Sequence, residues 1–572
     1  MENFLNIFTQ ADPVFFRVYT QILRYLLPVL TAALLLRCAL PLLTFRREPE
    51  IWGVLDLPDR RVALKHWENV IGRGKRSDVM LEVATVSKNH AVLTRYDDGS
   101  WTIADNGSKS GVKVNGKRVD ICALDLEDVI EIGGVEMRLT PISRSQEIKL
   151  AQLRTKATNA YNSIANVLLL SVLQSLICLA FLLTAKAGDA ASILIGFGGM
   201  MMLEWLLLGF YLLIRKPSFE AETIAFFLCT MGMAAIAAVA PREAGKQVFA
   251  ISLGMVAFLC VGWSLRGLER AKIIRYLAAV AGIGFLVITL LFGVEYYGAK
   301  NWIVLGGMSF QPSELSKVCF VFVGASTMDR IVSKRNLVLF IIYSVVICGC
   351  LALMNDFGTA LIFFVAFLVI AFMRSGSVGT VALACTALGF AGVIALKIAP
   401  HALSRFTTWR HIWEDPYGAG YQQTRALMCL ASGGLFGLGA NQGWLDHIFA
   451  ADSDIVFATL SEEWGLLMTI MMVLGIIVLA LFVLRTASIQ RSSFYAIGGA
   501  AAAAILLTQT ILNVLGTLDV LPLTGVTLPF VSNGGSSMIC AWGLLAFIKA
   551  ADTRQNASFA VRLARRGGAD IE

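Results

Sequence analysis

The stretch LMTIMMVLGIIVLALFVL, residues 467–484, runs eighteen positions without a charge, and LIFFVAFLVIAFM, residues 361–373, runs thirteen. A hydrocarbon core of roughly 30 Å takes about 20 helical residues, so runs of this kind cross or nearly cross a bilayer. Outward from them lie further segments of the same character, at roughly 163–185, 190–214, 220–241, 246–265, 273–293, 313–331, 336–354, 378–397, 494–516 and 530–550, with the first run extending back to 454. RYLLPVLTAALLLRCALPLLTF at 24–45 adds an anchor, making about thirteen. No basic region precedes that anchor and no small-residue cleavage site follows it, so it reads as a membrane helix, not a secretory signal. Composition agrees: of 572 residues, 57% are hydrophobic and 15% charged, where soluble domains carry about a quarter charged. The expected fold class is a polytopic α-helical membrane protein.

The net charge of +8 is not a nucleic-acid signature, because the basic residues are strung between apolar segments. Placing the N-terminus outside puts Arg46, Arg47, Arg215, Lys216, Arg266, Arg270, Arg275, Arg374, Arg485 and the tail arginines inside, as the positive-inside rule asks. The segments 294–312 and 398–453 then face out. The second reads as a connection of roughly 55 residues, far longer than a connector needs. It carries Arg405, Arg410 and Arg425 against the charge rule, a motive to expect an anionic substrate there. The eleven cysteines lie mostly in or beside apolar segments without a CxxC pair, so they read as core thiols. Five unpaired histidines argue against a histidine zinc site.

Between the anchor and the remaining segments the pattern changes. NHAVLTRY, WTIAD, GVKVNG and VIEIGGVEMRLTP alternate with period two and are punctuated by Gly, Asn and Asp, which predicts a small antiparallel β-sandwich. Gly72–Arg73, the SxxH turn Ser87–His90 and the VNG hairpin at Asn115–Gly116 occur in order, and on these the segment 50–142 resembles a forkhead-associated (FHA) domain. That resemblance implies phosphothreonine-peptide binding. Arg73 would hold the phosphate, Ser87 donate a hydroxyl, Lys88 add a point charge, and His90 brace the loop. Ser110 stands in SKSG where the family usually has the asparagine that holds the peptide backbone. A domain that only packs against a partner is the alternative.

Ionisable residues within apolar segments cost a few kcal/mol each and mark candidate sites; here they include Glu204, Glu314, Lys317, Asp356, Glu462, Glu463 and Asp519. Around them stand GAKNWI, QPSELSK, DFGTA, DPYGAGYQ, GGLFGLG, EEWG and TGVTLPFVSNGGSS, in order across 298–540. In this set the chain resembles the SEDS family (shape, elongation, division and sporulation; FtsW, RodA and SpoVE), whose fold has ten membrane helices. About three helices are therefore extra. The resemblance implies polymerisation of lipid II: a sugar hydroxyl of one substrate attacks the anomeric carbon of another and undecaprenyl pyrophosphate leaves. Asp415 matches the family's essential aspartate, as general base or as ligand of Mg²⁺ or Mn²⁺, with no organic cofactor. Trp302, Glu314, Lys317, Gln422 and Arg425 are the candidate substrate contacts. Trp302 could equally be an interfacial anchor, and Glu314 and Lys317, at i,i+3, an internal pair that neutralises two membrane charges. Asn533 stands where tyrosine is commoner, and Asp452-Ser453-Asp454 where His-Thr-Asp is.

The expected organisation is an outer segment 1–18, an anchor 19–45, a cytoplasmic sandwich 46–142, a linker 143–160, a membrane domain 161–551 and a cytoplasmic tail 552–572. A lipid II flippase and a phospho-dependent, non-enzymatic division scaffold are the competing functions. The expected partners are lipid II, a class B penicillin-binding protein, a phosphothreonine protein and the membrane.

Overall fold

The computed structural model describes residues 13–45, 51–142, 159–326, 334–554 and 557, apart from 76, 97–98, 126, 187, 297–298, 306–307, 376–377, 399 and 491. Most of the outer segment, the linker and the tail expected from sequence lie outside these residues.

Helix α1 (Pro13–Leu43) leads into eleven short strands: β1 (Gly53–Asp56), β2 (Arg61–Leu64), β3 (Glu68–Gly72), β4 (Val79–Met80), β5 (Ala91–Arg95), β6 (Trp101–Asp105), β7 (Val112–Val114), β8 (Lys117–Val119), β9 (Ile121–Leu124), β10 (Val129–Ile132) and β11 (Val135–Pro141). They form two sheets, in the orders β2-β1-β11-β10-β7-β8 and β4-β3-β5-β6-β9. Alternation turns Leu55, Ile71, Leu93, Ile103, Ile130 and Leu139 inward, and all are buried in the core between the sheets. The period-two reading of the sequence thus describes a sandwich.

The membrane part begins with α2 (Ala160–Thr184), α3 (Ala190–Leu213), α4 (Glu220–Val239), α5 (Ala244–Ser264) and α6 (Leu268–Phe292). A small antiparallel sheet follows: β12 (Val294–Tyr296), β13 (Ala299–Leu305) and β14 (Met308–Phe310). Next come α7 (Pro312–Ala325), α8 (Lys334–Leu353), α9 (Phe357–Ser375) and α10 (Val378–Ile398). The segment read as one long loop contains two helices, α11 (Pro400–Thr408) and α12 (Tyr421–Gly433), both too short and polar to register as apolar runs. α13 (Val456–Thr486), α14 (Ser493–Thr517) and α15 (Gly535–Ala550) complete the chain. Among the described residues nine helices are long and apolar enough to cross a membrane. The remaining apolar segments, α7, α8, α10 and α15, are helical but fall short of that measure. This is a multi-pass membrane protein.

Two features of this bundle position the candidate site. α13 is broken at Gly465, whose φ of 85° and ψ of 162° are open essentially to glycine alone. The break frees the carbonyls of Glu462 and Glu463, which accept from the amides of Leu438 and Gly439, both at 2.9 Å. The amides of Leu466 and Leu467 turn instead to the carbonyls of Gly434 (3.0 Å) and Leu435 (3.2 Å). A glycine-rich turn thus inserts into the helix ladder and satisfies these four backbone groups, as backbone at membrane depth requires. At the other end of the bundle, Lys549 pairs with Glu222 (3.2 Å), and Arg554 pairs with Glu220 (3.2 Å) and Asp552 (2.7 Å), all buried. These pairs fasten the end of α15 to the start of α4.

Candidate active site

Asp415 opens the turn that leads into α12. Its carbonyl accepts the Gly420 amide (3.1 Å) and its Oδ2 the Ala419 amide (2.9 Å), so the turn wraps around the carboxylate while leaving the side chain exposed. The two glycines of DPYGAG leave room that a side chain would take. A β-carbon at Gly418 would fall 2.2 Å from Asp415 Oδ2, and one at Gly420 would fall 2.2 Å from the Ile412 carbonyl. On the next turn Arg425 lies over the rings of Tyr417 and Tyr421, at 5.4 and 5.1 Å. Asp415, Tyr417 and Tyr421 are thus exposed on this turn, and the half-buried Arg425 covers the two rings. Gln422, expected to contact substrate, instead donates to the Phe449 carbonyl (2.8 Å) and ties α12 to the following turn.

The patch sits against the loop between α14 and α15. Arg405 donates to the Thr524 carbonyl (3.0 Å), Trp409 Nε1 to the Val520 carbonyl (3.1 Å), and the Arg410 amide to Asp519 (3.2 Å). Asn513 of α14 bonds the carbonyls of both Asp454 and Val526, joining the turn before α13 to that loop. Burial pushes the Asp454 carboxyl up to about 6, with Arg405 opposing the rise and Asp452 adding to it. Two departures from the resembled pattern meet here: Asn533 Nδ2 donates to Asp452 Oδ2 at 2.7 Å, and the Asn533 amide to the Asp452 carbonyl at 2.8 Å. Separated by 81 positions, they give no local sign of contact in the sequence.

The other candidates lie apart from Asp415. Lys317 and Glu314 form a fully buried ion pair of 2.6 Å on α7, the neutralising arrangement their spacing allowed. Glu314 Oε2, Ser313 Oγ and Asp356 Oδ2 are buried there with no hydrogen-bond partner among the described residues. Asp356 Oδ1 accepts the Thr359 amide (3.0 Å) at the start of α9. Trp302 is half-buried on β13, opposite Val294, beside Lys300, which donates to the Leu290 carbonyl (2.6 Å). Gln311 of the same block bonds Ser536 through its amide (3.2 Å), linking it to the GGSS turn. Among the described residues no hydrogen bond or ion pair joins Asp415 to Glu314 or Lys317. Glu462 and Glu463 serve the backbone: the first accepts from Trp444 (3.2 Å) and Leu445 (3.1 Å), the second from Asn441 (3.0 Å).

Among the described residues no group of three or more His, Cys, Asp or Glu side chains is placed to hold a metal. A single exposed carboxylate nevertheless suits Mg²⁺ or Mn²⁺, hard ions that keep several waters and bind through one or two carboxylates plus substrate phosphates. Asp415 is the residue that would hold one.

On the sandwich, the Arg73 amide donates to the Ser87 carbonyl (3.0 Å) and the Gly74 amide to the Lys88 carbonyl (2.9 Å), so the Arg73 and Ser87–Lys88 loops lie side by side. Gly72 is required by this contact, since a β-carbon would meet the Lys88 carbonyl at 2.3 Å. His90 is buried, accepts the Ser87 amide (3.1 Å) through Nδ1 and reaches the Gly111 carbonyl (3.0 Å), the bracing role expected of it. Ser87 Oγ accepts the Lys109 amide (3.2 Å), and Ser110 Oγ donates to the Thr85 carbonyl (3.0 Å). Arg73, Ser87, Lys88 and Ser110 thus stand on adjoining loops at one edge.

A family profile described as a cell cycle protein, for FtsW, RodA and SpoVE, matches residues 224–557, more than half of the chain, and an FHA-domain profile matches residues 69–133. The peptidoglycan glycosyltransferase RodA of Mycobacterium tuberculosis is 31% identical over 327 residues, covering 54% of this chain and 69% of its own length. The probable peptidoglycan glycosyltransferase FtsW of Tolumonas auensis is 32% identical over 348 residues, covering 57% and 90%. A solved chain from a peptidoglycan synthase complex that coordinates polymerization and crosslinking is 24% identical, with a TM-score of 0.48, and covers 58% of this chain and 96% of that one.

Proposed function

Because this chain belongs to the FtsW/RodA/SpoVE family of cell cycle proteins, with an FHA domain joined to it, we propose that it is a peptidoglycan glycosyltransferase that polymerises lipid II under phosphothreonine control. The observation that carries the reading is the Asp415 turn: an exposed carboxylate, gripped by its own backbone, beside a guanidinium stacked on two tyrosines.

In the reaction a sugar hydroxyl of one substrate forms a bond to the anomeric carbon of another. The bond from that carbon to the pyrophosphate oxygen breaks, and the leaving group carries away the electron pair. Asp415 accepts the hydroxyl proton as that bond forms. Arg425, with Arg405 and Arg410 nearby in sequence, supplies positive charge for the departing pyrophosphate. A divalent cation held at Asp415 would screen the same charge. Trp302 would contact the lipid-linked sugar from the membrane side, the buried Glu314–Lys317 pair would keep α7 neutral within the membrane, and Gln422 would act by fixing α12.

The topology that fits is an N-terminus and an Asp415 patch outside, with the FHA domain and C-terminus in the cytoplasm. The arrangement supports it: the sandwich meets the membrane part at Gln490 and Ser492, just before α14, whereas the Asp415 region meets it at Gly516 and Asp519, at the far end of α14. At 25 residues, α14 spans about 37 Å, enough to separate the two faces of a bilayer. A class B penicillin-binding protein on the membrane part and a phosphothreonine protein on Arg73, Ser87, Lys88 and Ser110 are the partners this reading requires.

The test is lipid II polymerisation by the purified full-length chain with its penicillin-binding partner. Asp415→Ala is expected to reduce glycan synthesis about 10²–10⁴-fold, the usual worth of a general base. Equal product from both proteins would remove Asp415 from the mechanism. No product from either would favour transport or scaffolding over catalysis.

A further inference from the structure

α1 lies before the residues that the family profile matches, which begin at 224, yet it reaches into the part of the bundle that frames the site. Arg24 Nη2 donates to the Leu438 carbonyl at 2.6 Å. Leu438 and Gly439 are the residues whose amides cap the carbonyls freed by the Gly465 break, so Arg24 takes hold of the inserted turn from its outer side. Two further contacts fix the docking. The Tyr25 and Phe436 rings pack at a tilt with centroids 4.9 Å apart, and a β-carbon on Gly439 would fall 2.5 Å from the Thr20 methyl group. Between α1 and the break is a small pocket of about 10 Å³, room for one water, lined by Arg24, Glu463 and Trp464 among others. Arg24 Nε, Glu463 Oε2 and Trp464 Nε1 are all buried with no hydrogen-bond partner among the described residues. Arg24 of the added helix and Glu463 of the EEWG block thus line the same small pocket.

We infer that Arg24 is a positioning residue for the Asp415 site, and that the added helix α1 acts as a strut for it. The path is short. α12 leaves the Asp415 turn at Tyr421 and ends at Gly433, and the turn that Arg24 grips starts there. α12 is therefore held at one end by the Asp415 turn and at the other by a turn clamped between α1 and α13. A charge-assisted hydrogen bond to a buried carbonyl is stronger than a neutral one, and here it crosses 414 positions of sequence. Removing it frees the end of α12 to move, and with it the carboxylate.

This reading rests on Asp415 being the reactive group, so the experiment separates the two. Amide hydrogen exchange over residues 433–445 and lipid II polymerisation would be measured on the full-length protein as wild type, Arg24→Leu, Arg24→Lys and Arg17→Leu. Arg17 is on the same helix and exposed. Arg24→Leu is expected to speed exchange at Leu438 and Gly439 roughly tenfold or more, the worth of a hydrogen bond to a charged group, and to lower kcat with little change in KM. Arg24→Lys should restore part of both, and Arg17→Leu should alter neither. Unchanged exchange at 434–439 in Arg24→Leu would overturn the proposal. So would loss of protection spread equally over α13 and α14, with Arg24→Lys no better, because Arg24 would then be merely structural. If wild-type protein made no glycan, the proposed reaction would fall, and the exchange comparison would still decide whether Arg24 holds the turn.

Discussion

At Gly418 a single methyl group would occupy the space that Asp415 Oδ2 fills, and at Gly420 it would strike the backbone of Ile412. The two positions should therefore fail differently. Gly418 is exposed and the group in its way is a side chain, so Gly418→Ala is expected to displace the carboxylate while leaving the fold intact. A misplacement of about 1 Å costs roughly 10²-fold in rate, and that loss should appear in polymerisation with the melting temperature within a few degrees of wild type. A Gly418→Ala protein with full activity would mean that the observed carboxylate position is not the working one. At this scale much was legible. The spacing of Glu314 and Lys317 allowed a pair on one helix face, and the aspartate of DPYGAGYQ, by itself an ordinary turn signal, was singled out by the family resemblance. The Asp452–Asn533 bond was hidden because it joins residues 81 positions apart, and only folding makes them neighbours. Gln422 was assigned to substrate because a polar residue beside a site looks like a ligand, whereas in the fold its side-chain amide donates to the Phe449 carbonyl.

Periodicity and length reveal an element only when it is long or strongly patterned. The apolar segments were visible as helices for that reason, and the sandwich was visible through its alternation and turn residues. α11 and α12, of 9 and 13 residues, were not; they are too short to be told from loop by pattern. The break in α13 was equally invisible, because a glycine inside an apolar run is ordinarily tolerated. Its geometry now gives that glycine a specific task. A β-carbon at Gly465 would lie 2.4 Å from the Leu435 carbonyl, and the backbone conformation is one that other residues reach only under strain. Gly465→Ala is expected to destabilise the protein by about 2–3 kcal/mol or more, and the inserted turn should loosen with it. Thermal unfolding in detergent, followed with exchange at 434–439, would check both. An unaltered melting temperature would mean that α13 can straighten and that the turn is not needed to complete its ladder.

The whole molecule joins a phosphopeptide-type domain to a bundle through a small, specific contact that no local pattern could disclose. His66 meets the Gln490 carbonyl (2.8 Å), Trp67 is fully buried against Tyr495 (6.1 Å between rings), and Glu68 accepts from Ser492 Oγ (2.5 Å) and the Ser493 amide (3.1 Å). A carboxylate at the first turn of α14 satisfies amides that the helix cannot, and it faces the positive end of the helix dipole. The same strand, β3, starts at Glu68 and ends beside Arg73, five residues and about 17 Å further on. One strand thus links the phosphate edge of the sandwich to the start of α14, and α14 links that point to the loops around Asp415. If this contact is what couples the two parts, replacing both Trp67 and Glu68 with alanine should release it without unfolding either. Exchange at Ser493–Tyr495 should then rise roughly tenfold, since losing a cap costs about 1 kcal/mol and losing the buried indole adds to it. The β5–β6 ladder of the sandwich should stay protected. Unchanged exchange at the start of α14 would show two independent bodies joined by chain alone, and a phosphothreonine signal would then need another route to the polymerising face.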